Sequence, residues 1–287
     1  MHSTDTPSTT PIDNHSILIT GCSSGMGYET AVALHRAGYN VIASCRDPAD
    51  VARLQGEGLF CIQLDLRDSD SIARAVADTL AHTGGTLYAL FNNGAYGQPG
   101  AVEDLPRAAL REQFETNLFG WHELTCALLP VMRRQGYGRI IQNSSILGLV
   151  AMKYRGAYNA SKFALEGLTD TLRLELRGSG IHVSLIEPGP VATRFRPNAL
   201  AAFERNIALN DSVHQVAYQQ QIARLSKAGI SNRFTLPAES VVPLVRHALE
   251  SPRPKARYPL TTPTTVFSIL RRVLPVRWLD ALLARGD

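Results

Sequence analysis

The chain is poor in the side chains that build cross-links and metal centres. Its 287 residues include only four cysteines, with no CxxC pair among them: Cys22, Cys45, Cys61 and Cys126. This spacing predicts no disulfide framework, and it favours a reducing, cytoplasmic compartment in which the cysteines are small apolar residues. The eight histidines are scattered, with no HExxH, so no metal site is expected.

Long apolar runs and basic clusters are also missing. No stretch approaches the roughly 20 apolar residues that a membrane-spanning helix needs. Residues 1–14 are polar and lack the apolar core of a secretory signal, so we expect a disordered lead. The net charge is only +4 and the basic residues are spread along the chain. No nucleic-acid partner is therefore expected, because binding needs basic residues clustered on one face.

What the chain does contain is a regular alternation of short β-branched runs with helix-length segments. Such alternation is typical of right-handed βαβ units. The sequence therefore predicts an α/β fold, a single doubly wound Rossmann-type domain with a parallel sheet of about seven strands and helices on both faces. We expect this domain to span residues 15–262, followed by an amphipathic tail at 263–287.

A glycine-rich segment, TGCSSGMG at residues 20–27, follows the first predicted strand and opens the first predicted helix. Gly21, Gly25 and Gly27 would let backbone N–H groups approach a pyrophosphate at the positive helix N-terminus. The spacing alone also fits a turn that holds no ligand. Its position in the first βαβ unit favours a dinucleotide.

The end of the second strand indicates which dinucleotide is bound. NAD-binding folds usually carry an acid there for the ribose 2′-hydroxyl, whereas an arginine accommodates a 2′-phosphate. Here Cys45 stands in the acid's place and Arg46 follows, and a guanidinium suits a phosphate. NADP(H) is therefore favoured, although Arg46 as an ordinary surface arginine would leave the preference open. Asp65, after the third strand, is a candidate either for the adenine amino group or for a helix cap.

Five motifs occur in the order and spacing of the short-chain dehydrogenases/reductases: TGCSSGMG, NNG at 92–94, SS at 144–145, YNASK at 158–162 and PGPVATRF at 188–195. The chain resembles this family over roughly residues 16–260. Within the family it is most similar to the 17β-hydroxysteroid and retinol dehydrogenase branch, which includes bacterial NADP-dependent aldehyde reductases. The resemblance implies that Tyr158 is the general acid/base and Lys162 its partner. It also implies that Ser145 hydrogen-bonds the substrate oxygen and that Asn117 completes the tetrad through a water.

The same resemblance implies which residues contact the cofactor and the substrate. The predicted cofactor residues are Gly21, Ser23, Ser24, Gly25, Met26, Gly27, Arg46, Asp65, Leu66, Asn93, Gly94, Ala95, Tyr158, Lys162, Pro188, Gly189, Val191 and Thr193. The predicted substrate residues are Ile146, Leu147, Met152, Pro190 and Phe195. Two features depart from the family pattern, since the usual NNAG reads NNGA here and Ser24 stands where many NADP enzymes carry a basic residue. The preference for NADP(H) therefore depends mostly on Arg46.

Tyrosine and lysine four residues apart suit proton exchange during carbonyl reduction. An unperturbed phenol has a pKa of ~10, too high for efficient exchange at neutral pH. A lysine cation about 4 Å away contributes roughly 4 kcal/mol at an effective dielectric of ~20, or about 3 pKa units. The spacing places Tyr158 and Lys162 on one helix face, whereas Tyr154 precedes the expected helix start, at the rim of the pocket. Since YxxxK alone occurs on many solvated helices, its combination with Ser145 and the glycine-rich loop carries the prediction.

Residues 190–238 show no strand pattern, and in the family this region closes over the substrate. Phe195, Phe203 and Tyr218 lie in this region. They either line an apolar pocket, together with Leu147, Leu149, Val150 and Met152, or pack beneath their own loop. An apolar pocket would suit a lipophilic aldehyde, ketone or alcohol. The arginine-rich tail, broken at Pro275, is expected to pack on the domain or a second subunit, or to lie on a membrane surface.

The expected function is NADP(H)-dependent hydride transfer to or from a lipophilic carbonyl or alcohol. The resemblance implies a homodimer or homotetramer formed through the helices that carry Asn117 and Tyr158. Two alternatives stay open at this point: a catalytically silent NADP(H)-binding sensor, and a membrane-associated retinol or steroid dehydrogenase.

Overall fold

The computed structural model describes residues 15–226 and 233–284; the predicted N-terminal lead lies outside them. The strands in this part of the chain are β1 (Ser16–Ile19), β2 (Asn40–Cys45), β3 (Phe60–Gln63), β4 (Ala89–Asn92), β5 (Gly138–Asn143), β6 (Ile181–Glu187), β7 (Val191–Ala192), β8 (Leu236–Pro237) and β9 (Arg257–Pro259). Seven of them form one sheet in the order β3-β2-β1-β4-β5-β6-β9, and every neighbouring pair is parallel. The predicted α/β fold is confirmed.

Helices cover both faces of this sheet. They are α1 (Gly25–Arg36), α2 (Pro48–Gly56), α3 (Ser69–His82), α4 (Arg107–Phe114), α5 (Gly120–Gln135), α6 (Gly156–Glu175), α7 (Phe195–Asn206), α8 (Gln215–Ser226), α9 (Val242–Glu250), α10 (Thr262–Val273) and α11 (Val276–Leu283). Ile17 and Ile19 of β1 pack with residues of α1 and α9, and Leu18 between them packs with α3, α5 and α6. Successive residues of a strand point to opposite faces, so a strand buried on both sides reads as a continuous apolar run.

The parallel arrangement brings the predicted site segments together. The segments that follow β1, β2, β3, β4, β5 and β6 leave the sheet at the same edge, since all of these strands run in one direction. The chain order reverses around β1, which lies between β2 and β4. Ligands of open α/β sheets bind at such a reversal, outside the carboxyl ends of the strands.

The segment from 190 to 238 contains short strands at its two ends, so the prediction of no strand there was wrong. β7 and β8 pair in parallel, and the Leu236 N–H donates to the Pro190 carbonyl at 3.1 Å. Two residues per strand are too few to leave a periodic signal in the sequence. Between the strands, α7 and α8 pack around Phe203 and Tyr218 in a small core that also includes Ala101, Leu105 and Tyr154.

The tail forms two helices separated at Pro275, as its sequence predicts. No helix in residues 15–226 and 233–284 is long and apolar enough to cross a membrane. The four cysteines are free thiols, and the Cys45 and Cys61 sulfurs are 4.0 Å apart. In the same two ranges no three His, Cys, Asp or Glu side chains cluster as a metal site would require.

Candidate active site

Helix α6 carries the candidate acid/base pair on its buried face. Tyr154, with a positive φ of 58°, precedes the helix, which begins at Gly156. Tyr158 and Lys162, one turn apart, are 8% and 1% exposed. The Lys162 Nζ lies 5.7 Å from the centre of the Tyr158 ring and donates a 2.7 Å hydrogen bond to the Asn143 carbonyl. The i, i+4 spacing therefore brings the two side chains together inside the protein.

Ser145 lies beside this pair, directly after β5. Its hydroxyl accepts a 3.1 Å hydrogen bond from the Leu147 N–H and also interacts with the Tyr158 hydroxyl. The next residue, Ile146, donates its N–H to the Pro188 carbonyl at 2.8 Å, which joins the segments after β5 and β6. Ser145 thus has a hydroxyl that can hold a substrate oxygen next to Tyr158.

Asn117 is buried in a π-helical turn, Glu115–Phe119, between α4 and α5. Its amide donates to the Tyr96 carbonyl at 2.9 Å and to the Ser161 hydroxyl at 3.3 Å. Such turns insert into helices frequently at functional sites. The hydrogen bond to Ser161, the residue before Lys162, connects this turn to α6.

Burial dominates the electrostatics of the pair. It raises the pKa of Tyr158 to about 12, although Ser145 and the Arg155 cation act to lower it. It lowers the pKa of Lys162 to about 7, although the Glu166 carboxylate acts to raise it. The expectation that Lys162 depresses the Tyr158 pKa is therefore not met in this geometry, because it counted the attraction between charges and left out the cost of desolvating them.

The glycine-rich loop fits a dinucleotide phosphate. Ser24, the N-cap residue of α1, makes no side-chain capping hydrogen bond, and the first turn of the helix carries no acidic residue. The positive N-terminal end of the helix is therefore open to an anion. Gly21 has a φ of 71°, and a Cβ there would lie 2.5 Å from the Gly94 Cα. A Cβ at Gly25 would lie 3.0 Å from the Thr193 side chain. The loop is thus closely packed against two other predicted cofactor segments, with no room for larger residues.

Comparisons with known proteins identify the family of the chain. The family model described as short chain dehydrogenase matches residues 15–202. The chain belongs to this family. The uncharacterized oxidoreductase YbbO of Escherichia coli (strain K12) is 45% identical over 268 residues, covering 93% of each chain. Human 17-beta-hydroxysteroid dehydrogenase type 1 is 35% identical over 254 residues, covering 84% of this chain and 76% of the relative.

A solved structure shows the same fold. It is a short chain dehydrogenase/reductase from Burkholderia phymatum in complex with NAD, 25% identical, with a TM-score of 0.76 and 95% of each chain covered. The predicted membership of the family and of its hydroxysteroid dehydrogenase branch is confirmed. The protein is accordingly an oxidoreductase of CH–OH and C=O groups with a Rossmann-type, nucleotide-binding fold.

In this short chain dehydrogenase, the NNGA departure has a packing reason. Thr20 accepts hydrogen bonds from the N–H groups of Asn93 and Gly94 through its hydroxyl, both at 2.9 Å. A Cβ at Gly94 would lie 3.2 Å from Gly21. Glycine at position 94 relieves that contact, and Ala95 packs against the neighbouring core instead.

The predicted residues after β2 and β3 lie at the edge of the site. Arg46 is exposed, and its carbonyl accepts from the Gln63 side chain at 3.2 Å. Asp65 forms an ion pair with Arg67 at 2.9 Å. Its pKa is low because this pairing outweighs the opposing effect of burial. Leu66 packs against Gly120 at the start of α5.

The predicted residues after β6 point in two directions. Thr193 packs on the glycine-rich loop, and Phe195 turns its ring to Tyr158, with centroids 5.2 Å apart. Gly189 packs instead against α10, where a Cβ would lie 2.9 Å from the Thr264 hydroxyl.

The predicted substrate residue Met152 lies between β5 and α6. It contacts the Arg155 guanidinium and accepts from the Asn159 amide through its carbonyl.

Sequence reasoning missed four residues that contact the site. Asn143 holds Lys162 through its carbonyl and Asn93 through its amide, the latter at 2.9 Å. Thr20 and Asn143 stand inside or next to recognisable motifs, so their positions carried a signal. Arg53 donates to the Ser23 carbonyl at 2.7 Å from α2, and Trp121 lies against Lys162. Neither of these belongs to a motif.

Proposed function

We propose that the protein is a cytoplasmic, NADP(H)-dependent oxidoreductase that transfers a hydride between nicotinamide and a lipophilic carbonyl or alcohol, with Tyr158 as general acid/base. One observation carries the proposal. Tyr158 and Lys162 are buried one turn apart beside Ser145, at the sheet edge where the glycine-rich loop is packed. The free thiols agree with a reducing compartment.

The cofactor, when bound, supplies or accepts the hydride. In the reducing direction, the Tyr158 hydroxyl donates its proton to the substrate oxygen, and the Ser145 hydroxyl donates a hydrogen bond to the same oxygen. Lys162 stabilises the phenolate that remains. Burial keeps the Tyr158 hydroxyl protonated at neutral pH, so the proton that carbonyl reduction needs is present on it.

The preference for NADP(H) is supported by the end of β2. Cys45 is buried and carries no charge that would repel a 2′-phosphate, and Arg46 beside it is exposed and free to turn to one. The Asp65 carboxylate at the next strand end is engaged by Arg67. We therefore propose that Arg46 supplies the cation for the 2′-phosphate.

A lipophilic substrate is supported by the surroundings of Tyr158. The Phe195 ring lies against it, and Leu147, two residues after Ser145, is buried. Phe203 and Tyr218 are excluded as lining residues, because they are almost fully buried in the core of their own segment. The apolar surface offered to substrate comes from the start of α7 and the segment after β5.

The proposed function is tested by NADPH oxidation against a panel of aldehydes, ketones and their alcohols, with NADH in parallel. We expect turnover with apolar carbonyls and a preference for NADPH. Binding of NADPH without turnover of any member of the panel would contradict the proposal. Turnover with NADH alone would contradict only the cofactor preference.

We also propose a homodimer or homotetramer formed through α5 and α6. Exposed apolar side chains lie on and before these helices: Phe119, Phe163 and Leu168, each at least 40% exposed. Exposed large apolar side chains favour burial in an interface. Sedimentation velocity of the wild type and of a Phe163→Glu/Leu168→Glu variant would show the smaller species only in the variant.

Peripheral attachment to an anionic membrane surface is a second candidate property, favoured by the tail. Six apolar side chains of α10 and α11 are between 41% and 73% exposed: Val266, Ile269, Val273, Val276, Trp278 and Leu282. Arg271, Arg272 and Arg277 are exposed among them, which complements anionic headgroups. Co-sedimentation with phosphatidylglycerol vesicles, weaker with phosphatidylcholine, is expected. If the protein binds neither kind of vesicle and a Trp278→Ser variant no longer dimerises, this face is the contact with a second copy of the chain.

A further inference from the structure

Lys162 is a buried cation with few compensating contacts. The residue is 1% exposed, and burial lowers its pKa to about 7. A buried charge of this kind needs hydrogen bonds or other favourable contacts to stay ionised. The Asn143 carbonyl provides one of them.

An aromatic face provides another. The Lys162 Nζ lies 4.3 Å from the centre of the Trp121 ring, nearer than the 5.7 Å that separates it from the Tyr158 ring. A cation over an indole face at this distance is stabilised by the ring quadrupole, and more strongly where water is excluded. Trp121 itself is fully buried at the start of α5.

The same indole also contacts the segment after β4 that borders the predicted cofactor site. Its Nε1–H donates a 2.9 Å hydrogen bond to the Gly94 carbonyl. Gly94 is the glycine that packs against Gly21 of the phosphate loop. One side chain therefore contacts both the lysine and the backbone that borders the glycine-rich loop.

The charged groups around the pair are engaged elsewhere. Glu166, one turn beyond Lys162, raises the lysine pKa but is bound by Arg257 of β9. Arg257 also binds Glu187 of β6 at 2.7 Å and Asp170 of α6 at 2.6 Å. From the other elements, Arg155 acts on Tyr158, and Arg271 and Arg272 of α10 act on Glu187. The carboxylate next to Lys162 is thus largely balanced by a guanidinium.

We propose that Trp121 is a positioning residue of the hydride-transfer site, whose indole face holds Lys162 as a cation beside Tyr158 while its N–H fixes the Gly94 carbonyl. The inference rests on the proposed function and names a residue that acts through Lys162. Tyrosine and lysine share protons as a coupled pair. After the pair has lost one proton, either Lys162 is neutral and Tyr158 protonated, or Lys162 is charged and Tyr158 is a phenolate. Only the second arrangement accepts a proton from an alcohol, and the indole face stabilises it.

The decisive experiment changes the ring electronics without changing its shape. The chain has two tryptophans, Trp121 and Trp278, so a Trp278→Phe background leaves Trp121 as the only site for singly or multiply fluorinated tryptophan. Fluorine weakens the negative face of the ring. We expect kcat for alcohol oxidation with NADP⁺ to fall stepwise, by about tenfold at the highest substitution. The apparent pKa of kcat/KM is expected to move downward, because a less stabilised Lys162 cation loses its proton at lower pH. The thermal unfolding midpoint is expected to stay unchanged.

Two substitutions separate the roles of the ring and the N–H. Trp121→Phe keeps an aromatic face and loses the donor, so it should keep the pH profile near that of the wild type and raise KM for the cofactor by about fivefold. Trp121→Leu should in addition shift the pH profile. Leu124→Ala, which opens a cavity at a buried position of the same helix, should lower stability and leave the profile unchanged.

The experiments distinguish an error in the role of Trp121 from an error in the proposed function. Fluorinated protein with the wild-type pH profile and rate would overturn the inference and leave Trp121 as a packing residue, even if Trp121→Leu does not fold. Failure of the proposed function looks different, because wild-type protein would then lack turnover or Tyr158→Phe would retain it.

Discussion

The rings of Phe195 and Tyr158 meet edge to face, with centroids 5.2 Å apart and planes at 65°. The first residue of α7 thus lies over the candidate acid/base, and it is 37% exposed. Aromatic rings in this position offer a large apolar surface to a bound substrate.

Phe195→Ala is therefore expected to raise KM for a long apolar aldehyde by roughly tenfold and for a short one by much less, because the lost apolar contact scales with substrate size. Phe60 has the same exposure on the edge strand β3, so Phe60→Ala is the matched control. Steady-state kinetics on an aldehyde series measures both. A uniform rise across the series would mean that Phe195 does not line the substrate site.

Tyr158 and Tyr154 form a natural pair for testing the acid/base. Tyr158→Phe removes the proton donor and is expected to lower kcat by on the order of 10² to 10⁴. Tyr154 packs edge to face against Tyr218 in the neighbouring core, with centroids 5.9 Å apart, so Tyr154→Phe should keep kcat within a few fold. NADPH oxidation at saturating substrate distinguishes them, and equal losses in the two variants would remove Tyr158 from the mechanism.

Arg46 is expected to set the cofactor preference. Arg46→Ala should raise KM for NADPH by roughly tenfold, since a charged hydrogen bond to the 2′-phosphate is lost, and should leave KM for NADH nearly unchanged. Arg74, another exposed arginine whose Asp68 partner is 3.8 Å away, gives the control variant Arg74→Ala. An equal rise in KM for NADPH and NADH would show that Arg46 does not bind the 2′-phosphate.

Arg257 holds a buried acidic cluster together, and its removal is expected to make stability depend on pH. Burial raises the pKa of both Glu166 and Glu187, and Arg257 acts against that rise. Arg257→Met should therefore raise these pKa values further and cost about 3–5 kcal/mol at neutral pH. Because the folded state then binds protons more tightly than the unfolded state, the loss is small below a pH of about 4.3, the ordinary pKa of glutamate. It grows as the pH rises through the folded pKa values.

Urea unfolding at a series of pH values measures this effect. Arg246→Met is the control, because Arg246 forms a solvent-exposed i, i+4 pair with Glu250 and its removal is expected to change stability little at any pH. A loss for Arg257→Met that does not change with pH would argue against the assignment of the raised pKa values to this cluster.

Two glycines with opposite surroundings provide a further test. At Gly27 a Cβ would clash with the Gly21 carbonyl and lie 2.5 Å from the Asn93 amide, whereas at Gly167 nothing lies within 4 Å. Gly27→Ala is expected to weaken cofactor binding by at least tenfold, because the phosphate loop must shift. Gly167→Ala, in the middle of α6, should stabilise the protein by about 0.5–1 kcal/mol. Cofactor titration and thermal unfolding measure the two outcomes, and normal NADPH affinity in Gly27→Ala would contradict the close packing of the loop.

The order of strands and helices and the spacing within each motif follow from the amino-acid pattern alone. Tyr158 and Lys162 share a face because they are four residues apart in one helix, and Asp47 and Asp68 cap α2 and α3 as local rules predict. Parallel strands then bring the segments after them to one edge, so the location of the site also followed from the pattern.

Contacts between residues of different elements are set by the packing of the fold. It directs Phe195 toward Tyr158 but buries Phe203 and Tyr218 in a separate core, although all three look alike in the sequence. It also places Trp121 against Lys162, and Arg257 against Glu166, 91 residues away. Spacing reports contacts within an element, whereas these contacts depend on how elements pack. Desolvation depends on the whole fold as well, which is why the pKa values of Tyr158 and Lys162 shift against the direction that charge pairing alone predicts.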